Sequence, residues 1–219
     1  MPNRNPTMTP RAISQIFQLL TESLPDPQTE LNFDGHFQLL VAVILSAQAT
    51  DVSVNRVTAP LFKAAATPEA MVALGESGIK NHIKSIGLAN NKARNVLNTS
   101  KMLVEMHQSQ VPQTRTELEA LPGVGRKTAG VVLNVAFGEA TIPVDTHVFR
   151  VSNRIGLVKT KTPTETEIRL LKIVPRQYLP KAHHLLILHG RYTCKARKPL
   201  CAECCVNSLC TFPEKVGDC

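Results

Sequence analysis

Apolar residues recur every three or four positions along almost the whole chain, and nowhere do they alternate over the length of a strand. Thr9-Pro10 reads as an N-cap and first helical residue. Ile13, Ile16, Phe17 and Leu20 follow on one face until Pro25 and Pro27 stop the helix. From Phe37 to Ala47 nearly every position is apolar, the pattern of a helix buried on all sides. Asp51 is placed to cap the next helix, whose inner face carries Val54, Val57 and Leu61. Thr67-Pro68-Glu69 opens a helix, and Ile79, Ile83 and Ile86 mark another that Gly87 stops. Asn90 is placed to cap the helix of Ala93, Val96, Leu97 and Leu103. Thr116 to Glu119 has capping-box spacing, and so does Thr162 to Glu165, which leads into Ile168 and Leu171 before Pro175. Val131, Val132, Val135 and Ala136 repeat within Lys127 to Phe137, and Ala182 to Leu188 forms a last apolar helix ended by Gly190. The expected class is all-α.

Composition narrows the partners. A length of 219 residues suits one large domain or two small ones. Trp is absent and aromatics are few, so the core must be aliphatic. A net charge of +8 and a pI of about 9.4 favour a polyanion, nucleic acid before membrane. The longest apolar run, Leu39 to Leu45, is far short of the roughly 20 residues a membrane span needs. MPNRNPTMTPRA has no apolar core of a secretory signal and reads as a loose tail. The cysteines are therefore expected in a reducing compartment, without disulfides.

LPGVGRKTAG, residues 121–130, carries the first candidate chemistry. A phosphate-gripping P-loop is excluded, because one residue rather than four separates the glycines and no strand precedes them. A plain helix–helix turn with a solvated lysine fits the local sequence equally well. A helix–hairpin–helix over 115–138 adds a function. Gly123 and Gly125 let another backbone approach, and the amides around Val124, Gly125, Arg126 and Lys127 head a helix whose positive end suits a phosphate. Such a contact positions a duplex without reading its sequence. Lys127 lies in the first turn, where the dipole disfavours an ammonium and burial would disfavour it further, so a nucleophilic amine is expected. Asp145, in IPVDTH, lies one helix and a loop further on, placed to cap the helix of Val148, Phe149 and Val151.

CKARKPLCAECCVNSLC supplies the second. Cys194, Cys201, Cys204 and Cys210 are spaced C-x6-C-x2-C-x5-C. Structural zinc commonly uses two separated C-x2-C pairs, and only one is present. A cubane iron–sulfur cluster suits a compact four-cysteine loop at least as well. Lys195, Arg197 and Lys198 make the first interval a basic lobe for phosphates. Cys205 is an alternative ligand, and Cys219 is read as free.

LPGVGRKTA, the VDTH after a proline and the cysteine loop together resemble the endonuclease III family of DNA glycosylases; LSAQATD at 45–51 and HGRYTC at 189–194 are similar as well. The likeness runs from about Glu30 to Cys210. It implies two helical lobes with DNA in the cleft between them: a six-helix barrel over 33–142, and a lobe joining residues 1–32 to 143–219 around a [4Fe–4S] loop at 194–210. It also implies duplex DNA with oxidised pyrimidines or abasic sites as substrate. A monomer is expected, and the absence of targeting signals makes a bacterial cytoplasm, at the nucleoid, the simplest expectation. The implied activity is that of a bifunctional glycosylase and AP lyase of base excision repair. The base is flipped out, the Lys127 amine attacks C1′, and a Schiff base leads to β-elimination 3′ to the lesion. Asp145 stabilises the cationic sugar. Gln48 fills the gap left by the flipped nucleotide, Leu88 wedges the opposite strand, and Asp51 and His147 line or support the pocket.

Gly130 stands where the family's asparagine is expected and Ser152 where cysteine is common. The rival readings are a monofunctional adenine-glycosylase-like enzyme, which would lack Lys127, and a non-catalytic DNA-binding module with a metal or redox loop.

Overall fold

The computed structural model describes residues 8–215. The expected N-terminal tail through Thr7 and Cys219 lie outside them. Every regular element among the described residues is helical. In chain order they are α1 (Pro10–Ser23), α2 (Gly35–Leu45), α3 (Asp51–Ala64), α4 (Pro68–Ile83), α5 (Ala89–Met106), α6 (Arg115–Ala120), α7 (Arg126–Phe137), α8 (Thr146–Ile155), α9 (Pro163–Ile173) and α10 (Leu179–Tyr192). Three 3-10 turns follow or interrupt them, at Arg176–Tyr178, Cys201–Glu203 and Asn207–Leu209.

The chain forms two compact units. One is Thr29–Glu139 and the other comprises the described residues on either side of it. The first holds α2 to α7. Its centre is α2, whose residues Leu39 to Leu45 are all buried and which packs against α3, α5 and α7. That is why this helix has no polar face. The second unit packs α10 against α1 and α8, with Ile16, Phe17, Leu20, Val148, Val151, Leu185 and Leu186 buried among them.

Helix starts follow hydroxyl and carboxylate chemistry. Thr9, Thr67 and Thr162 each accept the amide three residues on, as their sequence predicts. Three caps differ from expectation. Thr50, not Asp51, caps α3, leaving Asp51 as its first residue. Thr114, not Thr116, caps α6 and its hydroxyl also meets Glu117. Leu88, not Asn90, precedes α5, with the Lys92 amide bonded to the Leu88 carbonyl at 3.0 Å. The two helices read from Thr67 to Ile86 are one stretch broken at Gly75, where φ is +71°. Gly190 does not end α10, which continues to Tyr192. A Cβ there would come within 3.0 Å of His147 Cβ and Val151 Cγ2, so glycine serves close packing on α8.

Candidate active site and cysteine centre

The hairpin is α6, the turn 121–125 and α7. Gly123 has φ +80°, which a side chain rarely adopts, and a Cβ there would lie 2.8–3.0 Å from Asn95 of α5. One helical turn on, the buried Thr99 hydroxyl donates to the Pro122 carbonyl at 2.8 Å. Arg115 donates to the Arg126 carbonyl at 3.2 Å, tying α6 to the head of α7. The turn is thus pinned from α5 and α6 by residues that the local motif does not reveal.

Val124 is buried and its amide bonds the Leu121 carbonyl at 3.0 Å, so it is not among the open donors expected of the turn. Its role is to plug the hairpin. Gly125 is the N-cap of α7, with φ −95° and ψ 179°, and supplies no side-chain cap. The opening amides of α7 therefore receive no cap from the Gly125 side, at the positive end of the helix. Gly123, Gly125, Arg126 and Lys127 are exposed. The burial expected around Lys127 is absent, and its amine stands open at the positive end of α7.

Gln48 and Leu88 lie in the same unit as the hairpin. Each is an exposed residue in left-handed backbone, at φ +54° and +61°. A non-glycine residue there carries roughly 1–2 kcal/mol of strain, and such strain gathers where side chains must be presented.

In the other unit Asp145 is the N-cap of α8, and its Oδ1 accepts the Val148 amide at 2.8 Å. The loop before it is fixed by buried His183, which donates from Nδ1 to the Pro143 carbonyl at 2.8 Å. His147 is half-buried, and its Nδ1 accepts from Arg150 Nη2 at 3.2 Å. Arg150 also donates to the Gly190 carbonyl at 2.8 Å and to the Cys194 carbonyl at 3.1 Å. The helix that begins at Asp145 is therefore bonded to the start of the cysteine loop.

Cys194, Cys201, Cys204 and Cys210 line one recess. Among the described residues no three His, Cys, Asp or Glu side chains are placed to hold a single metal ion. The thiols surround a space rather than a point. Burial, reinforced by the neighbouring sulfurs, pushes the Cys204 thiol up to about 11, and burial also raises Cys210. Crowded, desolvated sulfurs of this kind hold negative charge only against a positive group. Cys205 is turned elsewhere, toward Ser23 and Glu22. Arg154 Nη1 lies 3.7 Å from Cys194 Sγ and donates to the Lys195 carbonyl at 2.8 Å, bracing the loop whose Lys195, Arg197 and Lys198 are exposed. His189 faces the recess, and burial lowers it to about 4, leaving its ring neutral.

Residues 41–176 match the model of the HhH-GPD superfamily of base excision DNA repair proteins. The chain belongs to this superfamily. It is 56% identical over 202 residues to endonuclease III of Escherichia coli K12, covering 92% of this chain and 96% of that one. Endonuclease III of Rickettsia conorii is 53% identical over 205 residues, covering 94% and 98%. The fold is similar to a trapped endonuclease III–DNA covalent intermediate in an estranged-adenine complex, with a TM-score of 0.88 and 43% identity over 93% of this chain and 96% of that one. A thermostable thymine-DNA glycosylase, 24% identical at a TM-score of 0.79, shares the fold over 93% of this chain and 95% of its own. This HhH-GPD protein is a DNA glycosylase and AP lyase of base excision repair, and its partner is damaged duplex DNA. No described helix is long and apolar enough to cross a membrane.

Proposed function

We propose that the chain removes oxidised pyrimidines through an imine formed by Lys127. The observation that carries this reading is the placement of an exposed amine as the second residue of α7, directly beside the hairpin amides. Those amides and Arg126 hold the backbone phosphate while Lys195, Arg197 and Lys198 meet the duplex elsewhere. With the nucleotide flipped out, the Lys127 amine attacks C1′, the glycosidic bond to the base breaks with its electron pair leaving on the base, and the base takes up the proton that the amine gives up. Ring opening gives an imine. Loss of a C2′ proton then expels the 3′ phosphate by β-elimination. Asp145 keeps one oxygen on the Val148 amide, which orients the carboxylate and leaves the other oxygen to stabilise the cationic sugar and to relay protons. Gln48 and Leu88 occupy the space and the opposite stack that the flipped nucleotide leaves.

Cys194, Cys201, Cys204 and Cys210 would hold a [4Fe–4S] cluster. Their four thiols line one recess without three of them gathering at a single-ion position, which fits a multi-iron group better than zinc. Bound there, it would supply structural order to the basic loop, and Cys205 is not a ligand. The protein acts as a monomer in a bacterial cytoplasm, at the nucleoid.

A duplex carrying a single thymine glycol tests this reading. Wild type should release the oxidised base and cut the strand 3′ to the site. Asp145→Asn should bind the same duplex while releasing base at least tenfold more slowly. Binding without base release by iron-loaded wild type would contradict it.

A further inference from the structure

His189 sits in the last turn and a half of α10 with 4% of its surface exposed, and its ring lines the cysteine recess. Nε2 lies 3.6 Å from Cys204 Sγ. A protonated thiol can donate or accept, but a thiolate that ligates iron has no proton to give. The hydrogen bond then has one direction only, from Nε2–H to sulfur. The ring is also held in place by its own backbone. The His189 carbonyl accepts the amides of Thr193 at 3.0 Å and Cys194 at 2.8 Å. One residue thus grips the recess twice, through its carbonyl at the first cysteine and through its ring at the third.

We propose that His189 is a positioning residue of the cysteine centre, donating from Nε2 to the Cys204 thiolate and thereby setting the reduction potential of the cluster. This rests on the [4Fe–4S] reading given above. A reduced cluster carries more negative charge on its sulfurs than an oxidised one, and an N–H donor stabilises that charge. The donor therefore raises the potential of whichever one-electron couple is observed. Arg154 faces a different sulfur, that of Cys194, so removing one donor leaves the other intact.

The test uses the full chain loaded with iron, with His189→Leu, which removes the donor at similar size, and His189→Gln, which retains an N–H. Iron and sulfide per chain are measured first, then the midpoint potential of each protein. The expected result is equal iron in all three, a midpoint displaced to more negative values in His189→Leu, and a smaller displacement in His189→Gln. In wild type labelled with ¹⁵N-histidine, one nitrogen-bound ring proton should couple to the cluster in its paramagnetic state. An unchanged midpoint in iron-loaded His189→Leu, or no coupled histidine proton in wild type, overturns the proposal. The wild-type spectrum decides alone if His189→Leu does not load iron. Wild type that takes up no iron after reconstitution with iron and sulfide overturns the cluster reading and the proposal with it. Full iron without the coupling overturns the proposal alone.

Discussion

Two glycines two residues apart in the hairpin should fail in opposite ways when replaced by alanine. At Gly123 the backbone has φ +80°, and an added Cβ would lie 2.8 Å from Asn95 Nδ2, 2.9 Å from its Cβ and 3.0 Å from its Cγ. The side-chain amide can swing, but the Asn95 Cβ is fixed to α5 and cannot. Left-handed backbone costs alanine about 1–2 kcal/mol and overpacking adds about 1–3 kcal/mol. Gly123→Ala should therefore lose about 3 kcal/mol, a fall in Tm of about 6–12 °C for a chain of this size. At Gly125, φ is −95° and nothing lies within 4 Å of an added Cβ. The loss of a good N-cap and the gain from a stiffer unfolded chain are each about 0.5–1 kcal/mol and nearly cancel. Gly125→Ala should melt within about 2 °C of wild type. Its methyl group would stand where a phosphate meets the α7 amides. Losing a charge-assisted hydrogen bond worth about 1.5–3 kcal/mol weakens binding roughly ten- to hundredfold. Scanning calorimetry and fluorescence anisotropy on a duplex with a non-cleavable abasic analogue, at one fixed salt concentration, read the two effects separately. Wild-type affinity in Gly125→Ala, or a wild-type Tm in Gly123→Ala, would refute the reasoning.

Cys205→Ser should retain full iron while Cys204→Ser loses it, read as iron per chain and as visible charge-transfer absorbance, because only Cys204 faces the recess. Leu88→Gly should hold or raise Tm, since it relieves a φ of +61°, while weakening binding to damaged duplex in the anisotropy assay. Lys92 is buried with its Nζ lacking a hydrogen-bond partner, so Lys92→Met should stabilise the fold by about 1–2 kcal/mol in urea denaturation. Burial lowers the Lys92 pKa from 10.5. The unfolded chain therefore binds this proton more tightly, and wild-type stability should rise with pH between the lowered folded value and the ordinary one. Lys92→Met should lack that rise in urea midpoints taken across the alkaline range.

Elements with strong periodicity were legible in the sequence, because α2 and the apolar faces of α1, α8 and α10 declare themselves through burial alone. Caps were legible where a proline follows the hydroxyl as first helical residue, as at Thr9, Thr67 and Thr162. They slipped by one or two residues where a neighbour offered the same chemistry, as Thr50 does beside Asp51 and Thr114 beside Thr116. The chemistry-bearing residues stood out because they sit on contiguous motifs, 121–130 and 194–210. Their supports did not. Asn95 and Thr99 are a helix away from the turn they pin, and His183 and His189 are spaced like core residues within an apolar run. Cys205 and Cys204 are indistinguishable as letters, and only the direction each side chain takes separates them.

The central claim is that Lys127 forms a covalent imine with DNA. Borohydride reduction in the presence of a duplex carrying an abasic site or thymine glycol reads it directly, with wild type beside Lys127→Ala. The account predicts a stable protein–DNA adduct for wild type and none for the variant, with both proteins folded, iron-loaded and able to bind the duplex. An adduct formed equally by Lys127→Ala, or no adduct from wild type on either DNA, would contradict it.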